Sequence, residues 1–120
     1  MHATILFGHG SRDPLWRQPI DTIAQRMREL NPDGHVRCAF LELTTPDLPS
    51  VAAELTGIGV QRLTIVPMFL GVGRHAREDL PVLVKDLQAT YPALQIELRP
   101  SVGEDPRVIQ MLAQLSLDAV

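Results

Sequence analysis

The 120-residue chain is predicted to fold as a single α/β domain over residues 1–120, in three layers, with a four-stranded parallel sheet and helices on both faces. Three observations predict this. Short apolar runs occur four times, and each is followed by a segment whose apolar residues recur at helical spacing. The runs are nearly continuous rather than alternating, as expected of strands covered on both sides. A proline stands near the start of every helical segment, at Pro14, Pro46, Pro81 and Pro106. There the missing N–H leaves no intrahelical bond unmade.

In order, residues 3–7 form the first strand, which stops at Gly8. Asp13-Pro14 places a capping carboxylate before proline, and Ile20, Ile23, Ala24, Met27 and Leu30 share one face of the first helix. Asn31-Pro32-Asp33-Gly34 ends it. Residues 36–41 are the second strand. Thr45-Pro46 opens the second helix, with Leu48, Val51, Ala52 and Leu55 on one side and Gly57 and Gly59 closing it. Residues 60–66 are the third strand. Pro67 cannot donate to a central ladder, so pairing should end there. Pro81 opens the third helix, with Leu80, Leu83, Val84 and Leu87 inward and Tyr91-Pro92 at its end. Residues 94–98 are the fourth strand, and Asp105-Pro106 starts a last helix carrying Val108, Ile109, Leu112 and Leu115. No linker or internal repeat interrupts the β-α rhythm.

Composition excludes several classes. A net charge of −3 removes the electrostatic case for nucleic acid or an anionic membrane, and 4% aromatic residues argue against a base-stacking platform. No apolar run is long enough to span a bilayer, and no basic stretch followed by an apolar one marks a leader. The single cysteine, Cys38, cannot form an internal disulfide, which fits a reducing cytoplasm. It reads as a small core residue.

Chemistry concentrates at two loops that follow apolar runs. In Gly8-His9-Gly10-Ser11-Arg12 the histidine has no bulky neighbour in sequence, and it stands at the carboxyl end of a strand, where open α/β sheets place ligands. Ser11 reads equally as a helix cap, and Arg12 as a solvated charge. The second loop runs from Pro67 through Gly71 and Gly73 to Arg74, His75 and Arg77. Its glycines let the backbone approach a ligand closely, and its arginines suit an anion, since guanidinium forks match carboxylates and phosphates. Glu78 and Asp79 read most simply as complements to a helix's positive end. Glu42, after the second strand, is open to three roles: general base, metal ligand beside the histidines, or cap of the following helix. His2 and His35 lie at the amino ends of strands and read as solvated. Neutral imidazoles suit cobalt, nickel, iron and zinc, and two without a firm third ligand hold such a metal loosely enough to pass it on.

Three motifs together, Gly8-His9-Gly10-Ser11-Arg12, Phe40-Leu41-Glu42, and Val66-Pro67-Met68-Phe69-Leu70-Gly71-Val72-Gly73-Arg74-His75 with Asp79 and Pro81, resemble the short-form CbiX-type sirohydrochlorin chelatases. The resemblance implies a chelatase-like fold and insertion of a divalent metal, usually Co²⁺, into sirohydrochlorin during cobalamin biosynthesis. Relatives insert iron for sirohaem or nickel for coenzyme F430. It implies metal binding at His9 and His75 with Glu42 nearby, and a homodimer with its site between subunits, because larger members join two such halves in one chain. The divalent metal is a substrate, and no organic cofactor is expected. His9, His75 and Glu42 are then the catalytic candidates. Ser11, Arg12, Gly71, Gly73, Arg74 and Arg77 are the candidates for holding the tetrapyrrole.

Other readings fit less well. A histidine phosphatase places arginine before its first-strand histidine, where this chain has Gly8. A serine hydrolase needs a Gly-x-Ser-x-Gly elbow, which is missing. A metal carrier would show paired cysteines or a His-rich tract, and the sequence has neither.

Overall fold

In the computed structural model, which describes residues 1–118, four strands pair in parallel: β1 (His2–Gly8), β2 (His35–Phe40), β3 (Arg62–Pro67) and β4 (Gln95–Leu98). Their order in the sheet is β2-β1-β3-β4. Helices α1 (Gln18–Leu30), α2 (Leu48–Gly57) and α3 (Arg74–Thr90) connect them, and a short 3₁₀ turn (Val102–Glu104) leads into α4 (Pro106–Asp118). The predicted four-stranded parallel α/β fold is the observed one, and β3 ends at Pro67 as expected.

The central strand β1 is buried from both sides because alternate side chains enter two separate cores. Ile5 and Phe7 join Leu63 and Ile65 of β3 beneath Leu48, Val51 and Leu55 of α2 and Leu80 and Leu87 of α3. Leu6 points the other way, with Val36, Cys38 and Phe40 of β2, beneath Ile20 and Ala24 of α1. A strand feeding two cores has no polar face to alternate with, which accounts for its unbroken apolar run.

Three of the four prolines do not start helices. Asp13-Pro14 forms its own turn, in which the Asp13 side chain accepts from the Leu15 amide at 2.9 Å and its carbonyl accepts from Trp16 at 3.1 Å. The helix begins only at Gln18, with Pro19 in its first turn. Pro46 likewise lies ahead of α2, which is capped by Asp47 and carries Pro49 in its first turn. Pro81 sits inside α3, seven residues from its start at Arg74. An interior proline leaves one carbonyl without its donor, but the buried stripe of Ala76, Leu80 and Leu87 crosses it unbroken. Burial of that stripe outweighs the missing bond. Only Pro106 opens a helix as predicted.

The last helix differs more. No residue of α4 is buried, so Ile109, Met111, Leu112 and Leu115 stand in solvent at 54%, 67%, 37% and 62% exposure instead of covering the sheet. Its direction is set by the 3₁₀ turn, where the Gly103 amide donates to the Phe69 carbonyl at 2.9 Å. Asp105 then caps α4 by accepting from the Arg107 amide and pairs with its guanidinium at 2.7 Å, which draws the Asp105 carboxyl down to about 2. Among the described residues, no helix is long and apolar enough to cross a membrane.

The α2 cap gives a direct test of this local reading. Asp47 accepts from the Ser50 amide at 2.9 Å, and hydrogen bonding from Ser50 holds its carboxyl below the usual aspartate range. Asp47→Ala should lower the unfolding free energy by about 1 kcal/mol in chemical denaturation at neutral pH. A depressed carboxyl contributes stability above its unfolded value and loses it as pH falls through the folded one. The gap between parent and variant should therefore close in acid.

Candidate active site

The chain leaves β1 toward β2 on one side and returns to β3 on the other. At such a reversal the carboxyl edge of an open sheet forms a natural ligand crevice. The connections after β1, β2 and β3 carry His9, Glu42 and His75 respectively, so all three lie along this edge.

The exit from β1 is held by packing. A Cβ on Gly8 would meet side-chain atoms of Ile20 at 2.9 Å and of Phe40 and Trp16 at 3.1 Å, so a larger residue there would push this apolar cluster outward. Trp16 meets Phe40 edge-on with centroids 5.9 Å apart, and the Arg17 guanidinium lies 4.6 Å over the same ring. Gly10 is needed for a different reason. Its φ is +103°, and a Cβ there would run into the Glu42 carbonyl oxygen. Past the ends of the strands, the amides of Leu41 and Glu42 still donate to the carbonyls of Gly8 and His9, at 2.9 and 3.0 Å.

This parallel run brings His9 and Glu42 together. Nε2 of His9 lies 3.4 Å from the Glu42 carboxylate, and Nδ1 lies 3.3 Å from the Gly10 carbonyl. With its proton on Nδ1, the ring turns the Nε2 lone pair toward Glu42. A cation between them would meet nitrogen and carboxylate oxygen together. Both side chains are about half exposed, at 43% and 56%, so the pair is accessible from solvent. Of the three roles open to Glu42, capping of α2 is excluded, because Asp47 performs it.

Ser11 does not cap a helix. Its hydroxyl accepts from the Asp13 amide at 3.1 Å, while its backbone N–H and C=O both bond the Thr44 hydroxyl, at 2.9 and 2.8 Å. Thr44 carries no motif or periodicity in the sequence, and only the fold reveals its contact. Arg17, which donates to the Thr45 carbonyl at 3.0 Å while paired to Asp21, was equally hidden.

The exit from β3 is more open. His75, with Arg74 and Arg77, belongs to the first turn of α3 rather than to a loop, and Glu78 and Asp79 fall in the second turn. Glu78 pairs with Arg74 at 3.1 Å. His75 is exposed and, among the described residues, has no hydrogen-bond partner. Neither Gly71 nor Gly73 has positive φ, and a Cβ on either would meet nothing within 4 Å, so this chain itself gives no reason for glycine there. Behind this turn lies a cavity of about 420 Å³ with an apolar floor of Phe69 and Leu98 and with Arg77 and Arg99 in its lining. Arg12 is exposed with no ion-pair partner among the described residues. Among the described residues no three His, Cys, Asp or Glu side chains cluster closely enough to hold a metal. Cys38 is buried, and burial first, then nearby Asp21, pushes its thiol up, which suits a core role.

The fold is a four-stranded parallel α/β sheet with an open carboxyl edge bearing imidazoles and a carboxylate. A family model described as CbiX matches residues 3–119, and the chain belongs to the CbiX family. It is 34% identical over 84 residues to the sirohydrochlorin cobaltochelatase of Methanopyrus kandleri, and 35% identical over 81 to that of Methanococcoides burtonii. These alignments take in 70% and 68% of this chain but only 59% and 62% of the relatives' own lengths. A CbiX protein from Marinobacter aquaeolei superposes over the full length of both chains, with TM-score 0.82 and 31% identity. The chelatase SirB of Bacillus subtilis, in complex with cobalt, superposes on 98% of this chain and 50% of its own at TM-score 0.75. At 24% identity, that likeness concerns the fold.

The two kinds of glycine should behave differently when replaced. Gly10→Ala forces a strained backbone against Glu42 and should lower unfolding free energy by about 1–3 kcal/mol. Gly73→Ala, with open space around it, should leave stability near the parental value in the same denaturation series.

Proposed function

We propose that this chain inserts a divalent metal, Co²⁺ foremost, into sirohydrochlorin on the route to cobalamin, with His9 and His75 holding the incoming metal. The observation that carries the reading is the His9–Glu42 pair at 3.4 Å, on the same sheet edge as His75. Membership of the CbiX family and relatives named sirohydrochlorin cobaltochelatase support the substrate and the metal.

Insertion exchanges one M²⁺ for two pyrrole N–H protons, so the site must hold a cation and accept protons in one small volume. The neutral imidazole of His9 offers its Nε2 lone pair to the metal, and Glu42 beside it takes one of the two pyrrole protons while the other passes to solvent water at this open edge. His75 supplies a second nitrogen from α3. Few fixed ligands favour release, which a site that passes metal on requires. The peripheral carboxylates of the tetrapyrrole are met by Arg12, Arg74 and Arg77, aided by the α3 amides left free because Gly73 provides no side-chain cap. Gly71 and Gly73 allow the macrocycle close to the backbone, and Ser11 lines the same approach.

The active form is proposed to be a homodimer. A stretch without charge, residues 108–117, presents Met111, Leu112 and Leu115 to solvent, which is unusual for a helix facing water on all sides. A second copy would bury that surface and supply the opposite wall for a macrocycle too large for one edge.

His9→Ala and His75→Ala should each cut cobalt insertion, followed by the tetrapyrrole absorption spectrum, by at least about tenfold while the melting temperature stays near parental. Parental rates in both folded variants would place the metal elsewhere, and Co²⁺ binding without any insertion would favour a carrier. Sedimentation velocity at micromolar concentration should give the mass of two chains, reduced to one by Leu112→Asp with Leu115→Asp. A parental protein that sediments as a single chain would overturn the dimer.

A further inference from the structure

We propose that Thr44 is the positioning residue for His9, and that its hydroxyl holds the imidazole at the distance from Glu42 that metal capture requires. The inference rests on the reading of His9 as a metal-holding group. The parallel run of bonds between the two exits ends at His9, whose carbonyl takes the Glu42 amide. Leu43 then turns the second loop away, with φ of +64°, and the Thr44 amide bonds locally to the Glu42 carbonyl at 2.7 Å. The Glu42 carbonyl packs against Gly10, but among the described residues no backbone group of that loop bonds Ser11. Without further support Ser11 and Arg12 would be free on one side of the histidine, beyond the packed Gly10.

The Thr44 hydroxyl supplies the missing partner. It accepts from the Ser11 N–H at 2.9 Å and donates to the Ser11 C=O at 2.8 Å, the two bonds a peptide group of a neighbouring strand would make. His9 is thereby fixed on both sides, by Glu42 at its own carbonyl and by Thr44 two residues on. The Thr44 side is itself anchored. The next carbonyl, that of Thr45, takes a bond from Arg17 at 3.0 Å, and Arg17 is locked to Asp21 by bonds of 2.8 and 3.0 Å. The frame runs from α1 through the second loop to the histidine. Thr44 and Ser11 are only half-buried, so water can satisfy the Ser11 groups if the hydroxyl is lost, and the fold survives.

Co²⁺ affinity, measured by calorimetry with the metal alone, and cobalt insertion would be compared across variants. Thr44→Val keeps the shape and removes the hydroxyl. It should weaken Co²⁺ binding by about tenfold or more, in the range seen when a ligand's supporting partner is removed. Its kcat for insertion should fall with little change in KM for the tetrapyrrole. Thr44→Ser should restore both, and Thr44→Ala serves as a second hydroxyl-free variant should valine disturb folding. Combined with Glu42→Gln, Thr44→Val should be less than additive, because both act on the same pair. Full additivity, or equal losses in the serine and valine variants, would overturn the proposal. If His9→Ala weakens Co²⁺ binding but Thr44→Val does not, the positioning role fails alone. If His9→Ala leaves Co²⁺ binding unchanged, the metal-holding reading fails, and the positioning role with it.

Discussion

The carboxyl edge depends on how closely the chain leaving β1 can lie against the chain leaving β2. Where the two chains pass beyond their paired strands, a side chain at position 10 would hold them apart. Here the separation is removed by Gly10, whose missing Cβ leaves room for the Glu42 carbonyl. The amides of Leu41 and Glu42 then continue the ladder past the sheet's formal end. Gly8 lets Trp16, Ile20 and Phe40 close over the base of the same exit, so a rigid apolar plug lies directly beneath the polar site. The imidazole and carboxylate are therefore placed by backbone geometry, and their half-exposed contact has little to contribute on its own.

The strands were legible because burial on both faces leaves a local signature, and β1 to β4 fall within two residues of the apolar runs. The turn at residues 31–34 and the stop at Pro67 follow from local chemistry as well. Helix starts were less legible, because proline alone does not say whether it opens a helix, precedes one or interrupts one. At Asp13 a side-chain turn competed successfully for the same residues. At Pro81 the buried stripe beginning at Ala76 outweighed a missing N–H, and that stripe is visible in sequence once spacing is read across the proline. The failure of α4 to cover the sheet was illegible, since an amphipathic pattern says that a face will be buried without saying against what.

The candidate site divides along the same line. His9 and Glu42 could be named from their places after strands, but their contact requires knowing that β1 and β2 are neighbours, a tertiary fact. Thr44 could not be named at all. Threonine has no chemistry that singles it out, and its role comes from standing where the second loop has turned away. His75 and its arginines stand out in the sequence as a charged, glycine-rich segment, but a proline at position 81 makes that segment read as a loop, whereas α3 already begins at Arg74.

The two sides of the site are unequal in rigidity, and this bears on what such an edge can do. His9 is braced through its own backbone and through Ser11, whereas His75 stands exposed on a helix turn that follows two glycines with nothing packed around them. A metal site meant to retain its ion fixes every ligand, because each immobilised donor lowers the cost of ordering on binding. A site that must surrender the ion to a competing macrocycle gains from one fixed and one adjustable donor. On the proposed reading, the fixed nitrogen would define where the metal waits, and the adjustable one would yield its place as ring nitrogens take over. On the same reading, the open space around Gly71 and Gly73 would admit the macrocycle at the β3 exit, while the braced β1 exit keeps its orientation.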